Sequence, residues 1–124
     1  MRVLVCVTGQ KNCERLIRAG SAVAKENGLE LSVLHVAKPG TGFLGSPVEG
    51  EAIEYLYGIS SEYGADMTVL RAEDVIETIA QFARKNEALV IIMGRAAKPG
   101  TRDFAREIAL RIPETEVRTV YSDE

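Results

Sequence analysis

The chain has 124 residues, 46% of them hydrophobic and 27% charged, with no tryptophan and a formal net charge of −3. That length suits one domain, residues 1–124, with a sizeable apolar core. The slightly acidic balance gives no global basic field to draw in nucleic acid, and no apolar stretch is long enough for a membrane span or a signal-peptide core, so a soluble, cytoplasmic protein is expected.

Val3–Thr8 (VLVCVT) is a continuous apolar, β-branched run, the pattern of a strand buried on both faces of a parallel sheet. Cys13 to Asn27 reads as a helix, with Leu16, Ile17, Ala19, Gly20, Val23 and Ala24 recurring at three- and four-residue spacing. Asn27-Gly28 is its stop signal. Leu31–Val36 is the second strand, and a glycine-rich exit loop follows it. Ser46-Pro47-Val48-Glu49 matches a capping box with proline at the first helical position. The helix it opens would turn Ile53, Leu56, Tyr57, Ser60 and Tyr63 inward and end at Gly64.

Met67–Leu70 is a short third strand. Glu73 and Asp74 open a third helix with Val75, Ile76, Ile79, Ala80 and Ala83 on one face and Arg84-Lys85 in its last turn. Leu89–Met93 is the fourth strand. A fourth helix runs from about Arg102 to Arg111, with Phe104, Ala105, Ile108, Ala109 and Ile112 inward, and Pro113 stops it. Val117–Tyr121, with polar residues interleaved, suits an edge strand. The order βαβαβαβαβ gives an α/β fold, a doubly wound parallel sheet with helices on both faces. Ligands in such folds bind at the carboxyl ends of the strands, where strand order reverses.

The stretch Ala88–Thr101 (ALVIIMGRAAKPGT) concentrates the signals of such a site. A buried strand stops at Gly94, a basic loop follows, and Thr101 precedes a helix whose first amides and dipole attract anions. The string AKPGT occurs at Ala37–Thr41 and again at Ala97–Thr101. Two readings stand: paired loops facing one crevice, or ordinary Pro-Gly turn chemistry used twice. The cations Lys11, Lys38, Arg71, Arg95, Lys98 and Arg102 gather at strand exits. They offer an anion site, or a solvated rim neutralised by Glu14, Glu49, Glu73, Asp74 and Asp103.

Catalytic groups are scarce. His35, the one histidine, lies mid-strand and reads as a core residue with one hydrogen-bond partner rather than a base or ligand. Cys6 and Cys13 fit no disulfide framework or zinc spacing. Cys13 sits at a helix start, where the dipole lowers a thiol pKa. No Ser-His-Asp set, Walker-type loop or metal cluster can be assembled, and a non-enzymatic binding module is expected.

The chain resembles the universal stress protein (UspA-like) family over essentially its whole length. The resemblance rests on RVLVCVTG, the helix-strand unit ERLIRAGSAVAKENGLELSVLHV, the block DVIETIAQFARKNEALVIIMGR and the short final strand. Within the family it is similar to the stress-protein-like domain of Kdp-type potassium-sensing histidine kinases. The resemblance implies a five-stranded sheet of order 3-2-1-4-5 and a homodimer through the last strand, Val117–Tyr121. ATP-binding members carry an acidic residue after strand one and Gly-x2-Gly-x9-Gly-Ser/Thr after strand four. Here Thr8-Gly9-Gln10 has no Asp. Gly94 is kept, Ala97 stands at the second glycine, and Gly100-Thr101 matches the closing pair across a shortened spacer. The loop thus offers fewer amides to a triphosphate.

Cyclic di-AMP-binding kinase relatives carry Ser-x-Ser and Phe-Thr-Ala-x-Tyr segments. The corresponding positions here are Thr8-Gly9-Gln10 and Leu31–His35, without the aromatic residues.

The expected function is a UspA-like stress-response or signalling module that takes a nucleotide or small anion, with ATP or AMP as its ligand and no further cofactor. Thr8, Gly9 and Gln10 would line one wall, Val36 would present its backbone to a base, and Gly94, Arg95, Gly100 and Thr101 would face phosphates. The alternative is a dimeric interaction module that takes no nucleotide and works through a signalling protein partner, with no nucleic acid or membrane involved.

Overall fold

β1 (Arg2–Cys6) forms at the first apolar run of the chain. The computed structural model, which describes residues 1–8, 13–94 and 103–120, places it centrally in a five-stranded sheet of order β3-β2-β1-β4-β5. The other strands are β2 (Glu30–Ala37), β3 (Asp66–Arg71), β4 (Ala88–Gly94) and β5 (Glu116–Val120). Every pairing is parallel: Val3 sits opposite Leu31 of β2 and Val90 of β4. β1 ends at Cys6, two residues before Thr8, although the Val7 amide still donates to the Leu34 carbonyl at 3.0 Å.

Helix α1 (Cys13–Asn27) has the bounds its apolar spacing predicts. α2 (Glu49–Glu62), α3 (Val75–Lys85) and α4 (Phe104–Arg111) follow. Alternate residues of a strand face opposite sides, so a strand covered twice is apolar at every position. Val3, Val5, Val7, Val33 and Ile92 meet α1 and α2 on one side. Leu4, Cys6, Leu34, Ile91 and Met93 meet α3 and α4 on the other.

Two expectations for α2 are corrected. Its buried residues are Ala52, Leu56, Ile59 and Ser60, whereas Ile53 and Tyr57 are exposed. Leu56, Ser60 and Tyr63 do face inward, and the stripe through Ala52, Leu56, Ile59 and Tyr63 keeps unbroken i+4, i+3, i+4 steps, so Ala52 and Ile59 take the places expected of Ile53 and Tyr57. The capping box does not form either. Ser46 Oγ accepts from the Val48 amide at 3.1 Å, but the helix begins at Glu49 with Val48 as its N-cap and no side-chain cap. The Glu49 carboxylate, which a capping box would turn back toward Ser46, pairs with Arg71 instead. A charge-assisted guanidinium–carboxylate bond outcompetes a bond to a neutral amide.

α3 begins where Glu73 and Asp74 predict, and α4 begins at Phe104 rather than at about Arg102. Asp74 accepts from the Glu77 amide at 3.0 Å and Asp103 from the Arg106 amide at 3.1 Å. These caps fix where both helices leave the carboxyl end of the sheet.

Candidate functional site

The chain leaves β1 through α1 to β2 on one side of the sheet and enters β4 from α3 on the other. The direction of winding therefore reverses between β1 and β4. At such a reversal the connections part to opposite faces, and a crevice opens at the carboxyl ends of the two strands. Cys6 and Met93 are the last register partners of β1 and β4. Thr8 and Gly94 lie just beyond them, and both are exposed. The structure thus brings these two predicted residues to one mouth. Gly9, Gln10, Arg95, Gly100 and Thr101 lie outside the described residues, as do Lys11, Lys98, Arg102 and the second AKPGT string.

Gly94 has no packing reason to be glycine among the described residues. A Cβ built there meets only Leu16 Cδ1, at 3.9 Å, an ordinary contact. Val36 is buried with its side chain on the α3–α4 side. The Leu34 carbonyl turns toward β1, where it accepts from Val7, and the Ala37 carbonyl turns toward β3, where it accepts from Ala72. Backbone groups alternate sides along a strand, so those of Val36 turn toward β1, past the Cys6–Leu34 pair.

The loop after β2 forms the neighbouring rim. Lys38-Pro39-Gly40-Thr41 is a turn closed by the Thr41 amide on the Lys38 carbonyl at 3.2 Å, with Gly40 at φ 87°. Pro at the second and Gly at the third position are what a type II turn requires. The first AKPGT string is therefore turn chemistry. A 3-10 turn at Phe43–Gly45 follows, with Leu44 at φ 56° and its side chain buried in the α1–α2 core.

His35 fastens this turn to the sheet. Its Nδ1 lies 2.8 Å from the Val7 carbonyl, and its Nε2 accepts from the Leu44 amide at 2.9 Å. The sequence led us to expect one partner; there are two. Together they require the neutral Nδ1–H tautomer, because a carbonyl only accepts and an amide only donates. Burial, with the Arg71 charge adding to it, holds the imidazole pKa below its ordinary value, against the opposing effect of the Val7 carbonyl.

Arg71, at the end of β3, holds the same loop from outside. It donates to the Thr41 carbonyl at 2.8 Å and the Lys38 carbonyl at 3.3 Å, pairs with Glu49 and lies 4.2 Å above the Phe43 ring. It is committed to the loop, and of the two readings of the strand-exit cations, neutralisation by nearby acids describes it. Neither role of Arg71 nor the second partner of His35 leaves a sequence motif, since each depends on residues brought in from another element. A cavity of about 440 Å³ opens beside this loop, lined by Gly40, Thr41, Gly42, Ser46, Glu49 and Arg71 among others.

The thiols differ from expectation. Cys13 is fully buried at the start of α1, and burial pushes its pKa up to about 12, opposite to the lowering expected from the helix dipole. Cys6 is likewise pushed up to about 12 by burial. The two lie in different core layers, on opposite faces of the sheet. Among the described residues, no group of three His, Cys, Asp or Glu side chains is placed to hold a metal ion, and no helix is long and apolar enough to cross a membrane.

Comparison with known proteins places this geometry. A sensor protein KdpD of Mycobacterium tuberculosis is 31% identical over 97 residues, which cover 78% of this chain and 11% of that protein. The chain thus corresponds to about a tenth of that relative's length. A universal stress protein from Archaeoglobus fulgidus superposes with a TM-score of 0.72 at 23% identity, covering 96% of this chain and 92% of that one. A structure of the universal stress protein from the same organism in complex with dAMP superposes with a TM-score of 0.66 at 20% identity, covering 96% of each chain. The sequence model of the universal stress protein family matches residues 1–107, and the chain belongs to that family.

Proposed function

We propose that this chain binds a nucleotide or another small anion at the carboxyl ends of β1 and β4, as a stress-response or signalling module without enzymatic activity. The observation that carries the reading is the reversal of winding between β1 and β4, with Thr8 and Gly94 exposed just past the last register pair of those strands, Cys6 and Met93. Gly94 supports it further, because nothing described around it demands a glycine, whereas a ligand lying against the backbone would. The fold-level likeness to a protein bound to dAMP favours an AMP-type ligand over an unrelated anion. The shortened glycine loop of the sequence favours AMP over a triphosphate.

The test is a thermal-shift scan against ATP, AMP and phosphate, with and without magnesium. A ligand at one hundred times its Kd adds about 2.7 kcal/mol to stability, enough to move the melting point visibly. A shift with AMP larger than with phosphate is the expected result. Gly94→Ala should leave stability within ~0.5 kcal/mol and weaken the ligand about tenfold, or ~1.4 kcal/mol. Arg95→Ala should weaken it by ~1.5–3 kcal/mol, the range for a hydrogen bond to a charged group. No shift with any of these compounds overturns the reading.

One observation favours a second reading, an interaction module that dimerises. β5 is a terminal strand of the sheet, with Glu116, Arg118 and Thr119 exposed. Its outer edge offers a ladder to a second copy. A dimer through β5 with no thermal shift from any nucleotide or from phosphate would favour this module, which takes no nucleotide, over the first reading.

A further inference from the structure

We propose that His35 is a proton-operated latch on the loop of residues 38–48, so that acid frees the Leu44 backbone of the Phe43–Gly45 turn from the sheet while the side-chain anchors of the loop and the rest of the fold hold. The inference stands on the hydrogen bonds of one side chain and does not depend on the ligand proposed above.

The geometry leaves the imidazole no room for a second proton. Nδ1–H donates to the Val7 carbonyl, and Nε2 accepts the Leu44 amide at 2.9 Å. A proton arriving on Nε2 would point at an N–H, turning an attraction into a donor–donor repulsion. The Leu44 bond must then break. That bond helps hold a leucine at φ 56°, a left-handed conformation costly for a residue that carries a Cβ. Without it, the backbone at Leu44 is free to relax.

The charged surroundings push the same way. Arg71 of β3 faces the site from above Phe43, whose ring meets the imidazole edge-on with centroids 5.8 Å apart. Glu49 of α2 pairs with Arg71. The ring nitrogens meet the Val7 carbonyl of β1 and the Leu44 amide of the turn, and the ring edge meets Phe43. A new imidazolium would therefore be repelled by the Arg71 guanidinium, and among the described residues neither ring nitrogen is bonded to a carboxylate.

The sign of the effect follows from linkage. The closed loop holds the His35 pKa below its ordinary value, chiefly by burial. The open loop exposes it to water, near the usual value of about 6.5. The latched state is thus fully favoured above about pH 6.5 and weakens as pH falls toward the lower, closed-state value. Within that window the open fraction rises by at most about tenfold per pH unit, because opening takes up one proton. The other attachments of the loop, the Leu44 side chain in the core and Arg71 on the Thr41 and Lys38 carbonyls, carry no such dependence, so acid frees the backbone at Leu44 and leaves the loop anchored.

The experiment is nitrogen-15 NMR of the whole chain between pH 7.5 and 5, with amide exchange corrected for its intrinsic pH dependence. We expect the Nδ1–H tautomer at pH 7.5. Below about pH 6.5, protection of the Leu44 amide should fall with falling pH, by at most about tenfold per unit, while the amides of Val5 and Ile92 keep theirs. His35→Gln retains a donor and an acceptor but cannot charge, and its Leu44 protection should not vary with pH. Three results would overturn the latch: an Nε2–H tautomer, Leu44 protection constant across the range, or a loss shared equally by Val5 and Ile92. If His35→Gln does not fold, the wild-type titration decides alone. A folded His35→Gln with the wild-type pH dependence also overturns it.

Discussion

Glu87 shows how a residue can do a glycine's work without announcing it. It sits at φ 56° just past the end of α3, where its amide donates to the Arg84 carbonyl at 3.2 Å and its own carbonyl accepts from Arg2 at 3.3 Å. The equivalent position after α1 is Gly28, at φ 64°. Both helices end on an Asn and then turn left-handed, but only Asn27-Gly28 could be read as a stop from sequence. A side chain in that conformation costs about 1–2 kcal/mol, and glycine removes the strain while adding roughly 0.5–1 kcal/mol of backbone entropy cost. Glu87→Gly should therefore stabilise the protein by about 0.5–1 kcal/mol in urea denaturation. Equal or lower stability would mean that the Arg2 and Arg84 contacts already absorb the strain. His35 teaches the same lesson from the other side. Its place in a buried strand was legible, but its second partner, Leu44, comes from a turn whose path the sequence does not dictate.

At the scale of elements, α1 illustrates competing magnitudes. Gly20 lies on its buried face, and a Cβ added there would overlap Val5 Cγ2 and come within 3.3 Å of Leu31 Cδ1. Helix propensity alone favours alanine over glycine by about 1 kcal/mol. Overpacking costs about 1–3 kcal/mol, and Val5 is fully buried with a stiff χ1, so it has little room to move. Packing should win, and Gly20→Ala should lower the melting temperature. A higher one would show that α1 can lift from the sheet at no cost. α2 shows the limit of reading faces from periodicity. It covers the side of an edge strand, and its apolar residues divide between an inner stripe and the exposed Ile53, Tyr55 and Tyr57. With apolar residues on both sides, the pattern could be fitted one residue out of step, and only the packing against β3 and α1 selected the true stripe.

For the whole molecule, the sheet has two edges, β3 and β5. The dimer reading belongs to the second. We expect sedimentation to show a dimer that Thr119→Pro converts to a monomer with an unchanged circular dichroism spectrum, since proline removes one donor from the ladder. A wild-type monomer at all concentrations, or a folded Thr119→Pro dimer, would remove β5 as the contact.

By itself the sequence determined the alternation of strands and helices, the parallel sheet buried on both faces, and the acidic start of α3. These are written in local spacing: continuous apolar runs, 3.6-residue stripes and capping residues act over a few positions, and their physics is complete within each segment. The tertiary structure decided what joins distant segments. It turned Glu49 from a capping box to Arg71, buried Cys13 so that desolvation outweighed the helix dipole, and gave His35 a second bond that fixes its tautomer. Each of those outcomes is a competition between partners on different elements, and the distance that settles it exists only once the chain has folded.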